Sequence, residues 1–270
     1  MDSATLFSAE AQRVLLRTAG ELADVAAARC LPLFRSPALV ADNKAAQGFD
    51  PVTQADREAE AAMRAHLAAK RPEDAVLGEE FGPTAGTSGL TWVIDPIDGT
   101  RSFLCGAPSW GVLVGLDAGE GPVLGLIDQP FTGERFIGGF GRAVLRRGGR
   151  ETPLATRQCA RLADAALFTT FPEIGTPAER AGFEAVRDRA RLTRYGLDCY
   201  AYALVALGQI DLVIEAGLQP YDVQGPQGVI EAAGGVVTTW TGEPAHRGGR
   251  IVAAGDARVH AAALELLSRA

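Results

Sequence analysis

Trp92-Val-Ile-Asp95-Pro-Ile-Asp98-Gly99-Thr100 decides how the rest of this chain is read. An apolar run ends in two acidic residues three apart, and Pro96 stiffens the backbone between them. Gly99 permits a tight turn or the close approach of a ligand, and Thr100 adds a hydroxyl and a backbone N–H. Carboxylates and exposed amides at a sharp turn suit hard cations and a phosphate group.

Working outward, three more segments place an acid at the end of a regular element. Thr53 and Asp56 form a capping-box-like pair at a helix start. Gly78-Glu79-Glu80 follows a short strand, and Pro220-Tyr221-Asp222 stands between a strand and a helix. Each has an ordinary reading alone: a helix cap for Asp56 or Asp222, a surface turn for Glu79-Glu80, a simple turn for Asp98-Gly99. As a set they are rigidly mounted oxygen donors, which favour Mg²⁺ over Zn²⁺. No covalent nucleophile motif is visible, so the residues point to a metal-dependent phosphatase that activates water.

Composition narrows the alternatives. The 270 residues carry 26 basic and 33 acidic side chains, a net charge of −7, which argues against a nonspecific nucleic-acid binder. No apolar run approaches the ~20 residues of a membrane span, and the N-terminus lacks a signal-peptide pattern, so a cytoplasmic location is expected. Cys30, Cys105, Cys159 and Cys199 are scattered without a C-x-x-C pair and are read as buried free thiols. His66, His246 and His260 have no metal-ligand company nearby and are read as structural or exposed.

Periodicity predicts helices over 9–29, from the Thr53 cap onward, and over 178–190, 199–207, 229–233 and 257–267. Strands are expected at 75–77, 91–94, 111–116, 123–127, 135–138 and 143–145, an antiparallel meander, and then at 165–170, 210–215, 236–239 and 251–254. Residues 42–51 and 83–89 read as loops. The fold class is therefore α/β, with an α+β N-terminal half over 1–148 and an α/β C-terminal half over 149–270 that supplies Asp222.

The ordered acidic set, together with Glu231-Ala-Ala-Gly234-Gly235, resembles the inositol monophosphatase superfamily across residues 44–235. The resemblance implies a layered α-β-α-β-α sandwich, a homodimer, and two or three Mg²⁺ ions, with Mn²⁺ a possible substitute. It implies that Glu79, Asp95, Asp98, Asp222 and the Ile97 carbonyl hold metal. Asp56 would lie near a further ion or the water network, and Glu79 and Thr100 would orient the attacking water. Asp98, Gly99, Thr100 and Asp222 would face the phosphate side of the substrate.

Several segments look more like the histidinol-phosphate phosphatase branch. They are Asp42-Asn-Lys44 with Phe49-Asp50-Pro-Val-Thr-Gln-Ala-Asp56, Pro108-Ser-Trp110-Gly111, Asp198-Cys-Tyr-Ala-Tyr202, and Glu215-Ala-Gly-Leu-Gln-Pro220-Tyr-Asp222. In the superfamily, positions like Gly196, Asp198 and Glu215 face the non-phosphate part of the substrate. Two carboxylates there suit the ammonium and imidazole of histidinol phosphate. Asp198 carries most of this discrimination, although it also reads as a helix cap. Arg194 is expected either to reach the phosphate or to hold Asp198. Two departures stand out: Leu197 replaces a frequent glycine, and Gln224-Gly225-Pro226 follows Asp222, where Gly225 is expected to leave a gap and Pro226 to sit in a helix's first turn. The competing readings are another phosphatase of the superfamily, such as an inositol monophosphatase or nucleotide 3′-phosphatase, and a non-catalytic regulatory protein that keeps the fold.

Overall fold

The structure, a computed structural model, describes residues 6–43 and 51–268. Lys44, Phe49 and Asp50, and most of the expected 42–51 loop, lie outside the described residues. The chain begins with helix α1 (Ala9–Cys30), capped by the Ser8 hydroxyl, and a short strand pair β1 (Ala41–Asn43) and β2 (Pro51–Thr53). Helix α2 (Gln54–Lys70) follows, opened by the Thr53–Asp56 capping box.

An eight-stranded sheet comes next: β3 (Ala75–Gly78), β4 (Gly82–Thr84), β5 (Thr91–Asp98), β6 (Gly111–Asp117), β7 (Pro122–Gln129), β8 (Glu134–Gly139), β9 (Arg142–Arg147) and β10 (Arg150–Pro153). Its order is β10-β9-β8-β7-β6-β5-β3-β4, the expected meander, with one parallel pair between β3 and β5. Helix α3 (Thr100–Cys105) leaves β5 directly. The C-terminal sheet has the order β12-β11-β13-β15-β14, built from β11 (Ala166–Thr169), β12 (Leu192–Tyr195), β13 (Leu212–Leu218), β14 (Val236–Thr239) and β15 (Gly249–Ala254). Between its strands run α4 (Pro177–Arg187), α5 (Asp198–Ala206) and α6 (Pro220–Ala232), and α7 (Ala257–Leu267) closes the chain.

Side-chain alternation builds the layers. On β6, Val112, Val114 and Leu116 face a core shared with α1 and α2, while Leu113 faces the opposite core. That second core joins the eight-stranded sheet to α5, α6 and the inner face of the C-terminal sheet through Ile127, Phe136, Val205, Ile230, Val213 and Ala253. A third core, with Phe183, Leu212, Ile214, Val252 and Val259, joins the outer face to α4 and α7. The result is a five-layer α-β-α-β-α sandwich, as expected. No helix among the described residues is long and apolar enough to cross a membrane.

Some boundaries differ from the sequence reading. The division at 148/149 falls inside the β9–β10 hairpin, so the first sheet extends to Pro153. Strands β4, β10 and β12 are short, polar and exposed, and no apolar alternation marked them. Cys105 is exposed, whereas Cys30, Cys159 and Cys199 are buried as expected.

The largest correction concerns α6. It starts at Pro220 instead of 229, so Pro226 sits mid-helix and has no N–H to offer the Asp222 carbonyl one turn earlier. Tertiary contact overrides this weakness. Gly225 leaves no gap: it and Gly228 press against Gly125 on β7, where a Cβ on Gly125 would lie 2.1 Å from the Gly225 carbonyl oxygen. A Cβ on Gly138 of β8 would likewise lie 2.5 Å from the Gly228 carbonyl oxygen. Glycines on both partners let the helix that carries Asp222 lie directly on the sheet that carries Asp95 and Asp98.

This contact predicts the sign of a simple substitution. Gly228→Ala gains about 1 kcal/mol of helix propensity. Its Cβ, however, meets three backbone atoms of β7 at 2.6–2.9 Å, a clash without a flexible side chain to yield. We expect a net loss of about 1–2 kcal/mol in urea denaturation, since overpacking costs of ~1–3 kcal/mol outweigh the propensity gain. A stabilised variant would contradict this packing.

Candidate functional site

Three carboxylates from two sheets' worth of chain meet at the interface. Strand β5 ends in Asp95 and Asp98, α6 begins with Asp222, and one oxygen of each lies within 4.8 Å of the others. Local turns set each orientation. The Asp95 Oδ1 accepts the Ile97 N–H at 2.9 Å, the Asp222 Oδ2 accepts the Gln219 N–H at 2.7 Å, and the Asp98 Oδ2 accepts the Cys199 N–H at 2.7 Å. The last bond comes from the first turn of α5, whose positive end favours the charged form of Asp98.

Burial and mutual repulsion work the other way. Desolvation pushes the Asp95 carboxyl well above its ordinary range, with Glu79, Asp98, Asp222 and Asp56 adding negative charge. Desolvation also raises Asp98 strongly, helped by Asp222 and Asp198 and opposed by the Cys199 amide. Asp222 is pushed up to about 7, chiefly by burial. Among the described residues no lysine or arginine pairs with any of the three. One buried and two half-buried carboxylates this close without a protein cation fit a divalent metal ion, and the all-oxygen donor set suits a hard one.

The remaining expected residues take definite places. Asp56, 1% exposed, caps α2 through the Thr53 N–H and hydroxyl, and its other oxygen accepts the Thr100 hydroxyl at 3.3 Å. The cap and the Thr100 contact thus use different oxygens of one carboxylate. Thr100 also reaches the Ile97 carbonyl oxygen at 3.2 Å. Glu79 stands outside the tight trio, but its charge raises both Asp95 and Asp222. Gly99 adopts φ +83°, and a Cβ there would lie 2.8 Å from the Asp198 Cγ, so both the turn and the packing of Asp198 call for glycine.

A cavity of about 350 Å³ opens beyond the trio, lined by Asp98, Thr100, Asp198, Tyr202, Glu215 and Asp222 among others. Asp198 is not a helix cap: its Oδ2 accepts the Ser102 hydroxyl at 2.6 Å and the Ser109 hydroxyl at 2.8 Å. It reaches this position through positive φ angles at Leu197 (+80°) and Asp198 (+47°). Leu197 therefore occupies a backbone conformation where glycine would be free of strain. Glu215, 7% exposed, accepts the Thr170 N–H and hydroxyl and the Thr169 hydroxyl. Burial raises its carboxyl to about 7 against those bonds.

Two expected substrate contacts fall elsewhere. Arg194 sits exposed on the edge strand β12 and makes no bond to Asp198, whose partners are the serines. Gly196, at φ +89°, shapes the turn that delivers Asp198 and does not line the cavity.

The structure adds Glu60, fully buried, to this picture. Its carboxylate accepts the N–H groups of Glu80 and Phe81 at 2.6 and 3.2 Å and pairs with Arg64 at 2.7 Å, which fixes the turn carrying Glu79. Its only sequence signal is its place one helical turn after Asp56. Ser102, Ser109 and the Cys199 amide were likewise unreadable, because each acts through a contact distant in sequence.

The profile of the inositol monophosphatase family matches residues 11–270. The chain belongs to that family. Its members are metal-dependent phosphatases, and this chain is a phosphatase of that kind. It is 43% identical to a bifunctional phosphatase, IMPL2, of Arabidopsis thaliana over 81% of this chain and 66% of the relative. It is 36% identical to a histidinol-phosphatase of Streptomyces coelicolor over 91% and 93% of the two chains. An inositol monophosphatase structure from Zymomonas mobilis superposes with a TM-score of 0.83 at 40% identity, covering 97% of this chain and all (100%) of that one.

The electrostatics give a testable pH dependence. Asp222 and Glu215, at about 7 in the folded chain, have ordinary values near 4 when unfolded. The metal-free folded state therefore binds more protons between roughly pH 4 and 7, and its stability falls as pH rises through that window. In EDTA, the Tm is expected to be lower at pH 8 than at pH 5, and a divalent cation should raise it more at pH 8. An equal cation effect at both values would contradict this charge balance.

Proposed function

We propose that this phosphatase hydrolyses L-histidinol phosphate to L-histidinol and phosphate, with Mg²⁺ held by Asp95, Asp98, Asp222, Glu79 and the Ile97 carbonyl. The observation that carries the substrate is the pair of carboxylates beyond the trio. Asp198 accepts two serine hydroxyls on Oδ2, and Glu215 lines the same cavity. The cavity wall carries Asp98, Asp198, Glu215 and Asp222 against Arg101, an acidic excess that favours a leaving alcohol carrying positive charge. Histidinol has an ammonium and an imidazole, whereas inositol is neutral. The histidinol-phosphatase relative and the sequence segments around Asp198 and Glu215 support the same choice.

When bound, the Mg²⁺ ions neutralise the phosphoryl oxygens and lower the pKa of water. The chain's own residues position the reactants. The Thr100 hydroxyl directs its proton to Asp56 or the Ile97 carbonyl, which turns its lone pairs outward to accept a hydrogen bond from the attacking water. Glu79 accepts the other proton of that water. The Gly99 and Thr100 amides hold the phosphate, and the α5 amide on Asp98 keeps that carboxylate aimed at the site. Water attacks phosphorus in line as Glu79 takes its proton, the ester P–O bond breaks with its electron pair going to the leaving oxygen, and that oxygen takes a proton from solvent as the alcohol leaves on the Asp198 side.

Asp98→Asn removes one charge where phosphoryl charge develops, and we expect kcat to fall at least ~100-fold under saturating Mg²⁺. Near-normal turnover would refute the metal assignment. For the substrate, kcat/KM with L-histidinol phosphate should exceed that with myo-inositol 1-phosphate. A tenfold preference for inositol phosphate, about 1.4 kcal/mol, would overturn the reading. Asp198→Asn keeps the serine bonds but loses the charge, so the histidinol preference should shrink by about tenfold or more. An unchanged preference would show that Asp198 does not read the substrate.

A further inference from the structure

Among the described residues, one buried polar side-chain atom in the cavity wall has no hydrogen-bond partner, the phenol oxygen of Tyr202. The ring sits on α5, only 5% exposed, and lines the cavity beside Asp198, Glu215 and Asp222. Its hydroxyl is buried and has no hydrogen-bond partner. The other buried polar side-chain atoms without partners among the described residues belong to Trp110, Arg180, Gln224, Gln227 and His246, none of which lines this cavity.

Its neighbour on the same helix shows what a structural tyrosine does here. The Tyr200 hydroxyl, two residues earlier, donates to the Glu134 Oε2 at 2.7 Å and ties α5 to β8. Tyr202 makes no such tie. Glu215 is already saturated by Thr169 and Thr170, and Asp198 Oδ2 by Ser102 and Ser109. A phenylalanine would fill the same space without burying an unpaired hydroxyl, so the phenol costs stability and returns nothing to the fold. A phenol both donates and accepts, which suits a nitrogen or oxygen on a small ligand.

We propose that the Tyr202 hydroxyl hydrogen-bonds the alcohol moiety of the substrate, beyond the phosphate, and so selects phosphate esters of alcohols that carry nitrogen or oxygen functions. This rests on the cavity being the phosphate-ester site, but not on which polar alcohol it takes. The contact exists in the bound ground state as well as in the transition state, so it acts on KM more than on kcat. A site built around such a bond discriminates strongly against analogues that lack the bonding group.

The test is Tyr202→Phe in the full chain with Mg²⁺, assayed on L-histidinol phosphate, myo-inositol 1-phosphate and phenyl phosphate, whose leaving group has no bonding function beyond the ester oxygen. The ratio of kcat/KM for the preferred polar ester to that for phenyl phosphate should fall at least tenfold, mostly through KM, with a Tm equal to or above the wild type. An unchanged ratio, or equal losses on both esters, overturns the proposal, as does a lowered Tm, which would reveal a structural partner for the hydroxyl. The wild-type preference separately decides between histidinol and inositol phosphate. Should inositol phosphate win, the histidinol reading fails, and the Tyr202 ratio is then taken against inositol phosphate and still decides this proposal.

Discussion

Asp95, Asp98 and Asp222 are held within 4.8 Å of one another in a buried interface, with no partnering lysine or arginine among the described residues. Charge of one sign at that separation in a poorly solvated space is strongly unfavourable. The fold nevertheless imposes it, because each carboxylate is locked by its own backbone amide and each lies at the end of a rigid element. That repulsion suits the site to a hard cation.

The packing explains why the interface is rigid. Helix α6 lies on the eight-stranded sheet through Gly225 and Gly228 against Gly125 and Gly138, with no side-chain layer between. Helix α5 reaches from the other half to bond Asp98 through its first amide and to place Asp198 against Gly99. The two halves are therefore joined at the chemistry itself. Relative motion of α6 against β7 is opposed by backbone contact, and Asp222 keeps its place despite the proline inside its helix.

Much of this was legible in the sequence, for identifiable reasons. The run into Asp95 and Asp98 could be read because an apolar run ends abruptly in acids and a glycine. The Thr53–Asp56 cap is a local pattern, and so survived into the structure unchanged. The α/β class followed from strand and helix order, whereas the five layers came from the family resemblance. What could not be read depends on pairs distant in the chain: Ser102 and Ser109 on Asp198, Glu60 on the Glu79 turn, and the cavity face of Tyr202. Gly225-Pro226 misled for the same reason. Locally these residues break a helix, and only the facing glycines of β7 and β8 make the helix the better arrangement. Arg194 lies exposed on the edge strand, and two serines take the Asp198 oxygen that it was one candidate to hold.

The central claim is that the three aspartates surround a bound cation. Anomalous diffraction from a crystal soaked in Mn²⁺ with phosphate tests it most directly. A metal peak is expected about 2.1–2.3 Å from an oxygen of each of Asp95, Asp98 and Asp222, with phosphate density beside it. A crystal in which the three carboxylates turn apart with no peak among them, or in which the ion binds elsewhere, would contradict it.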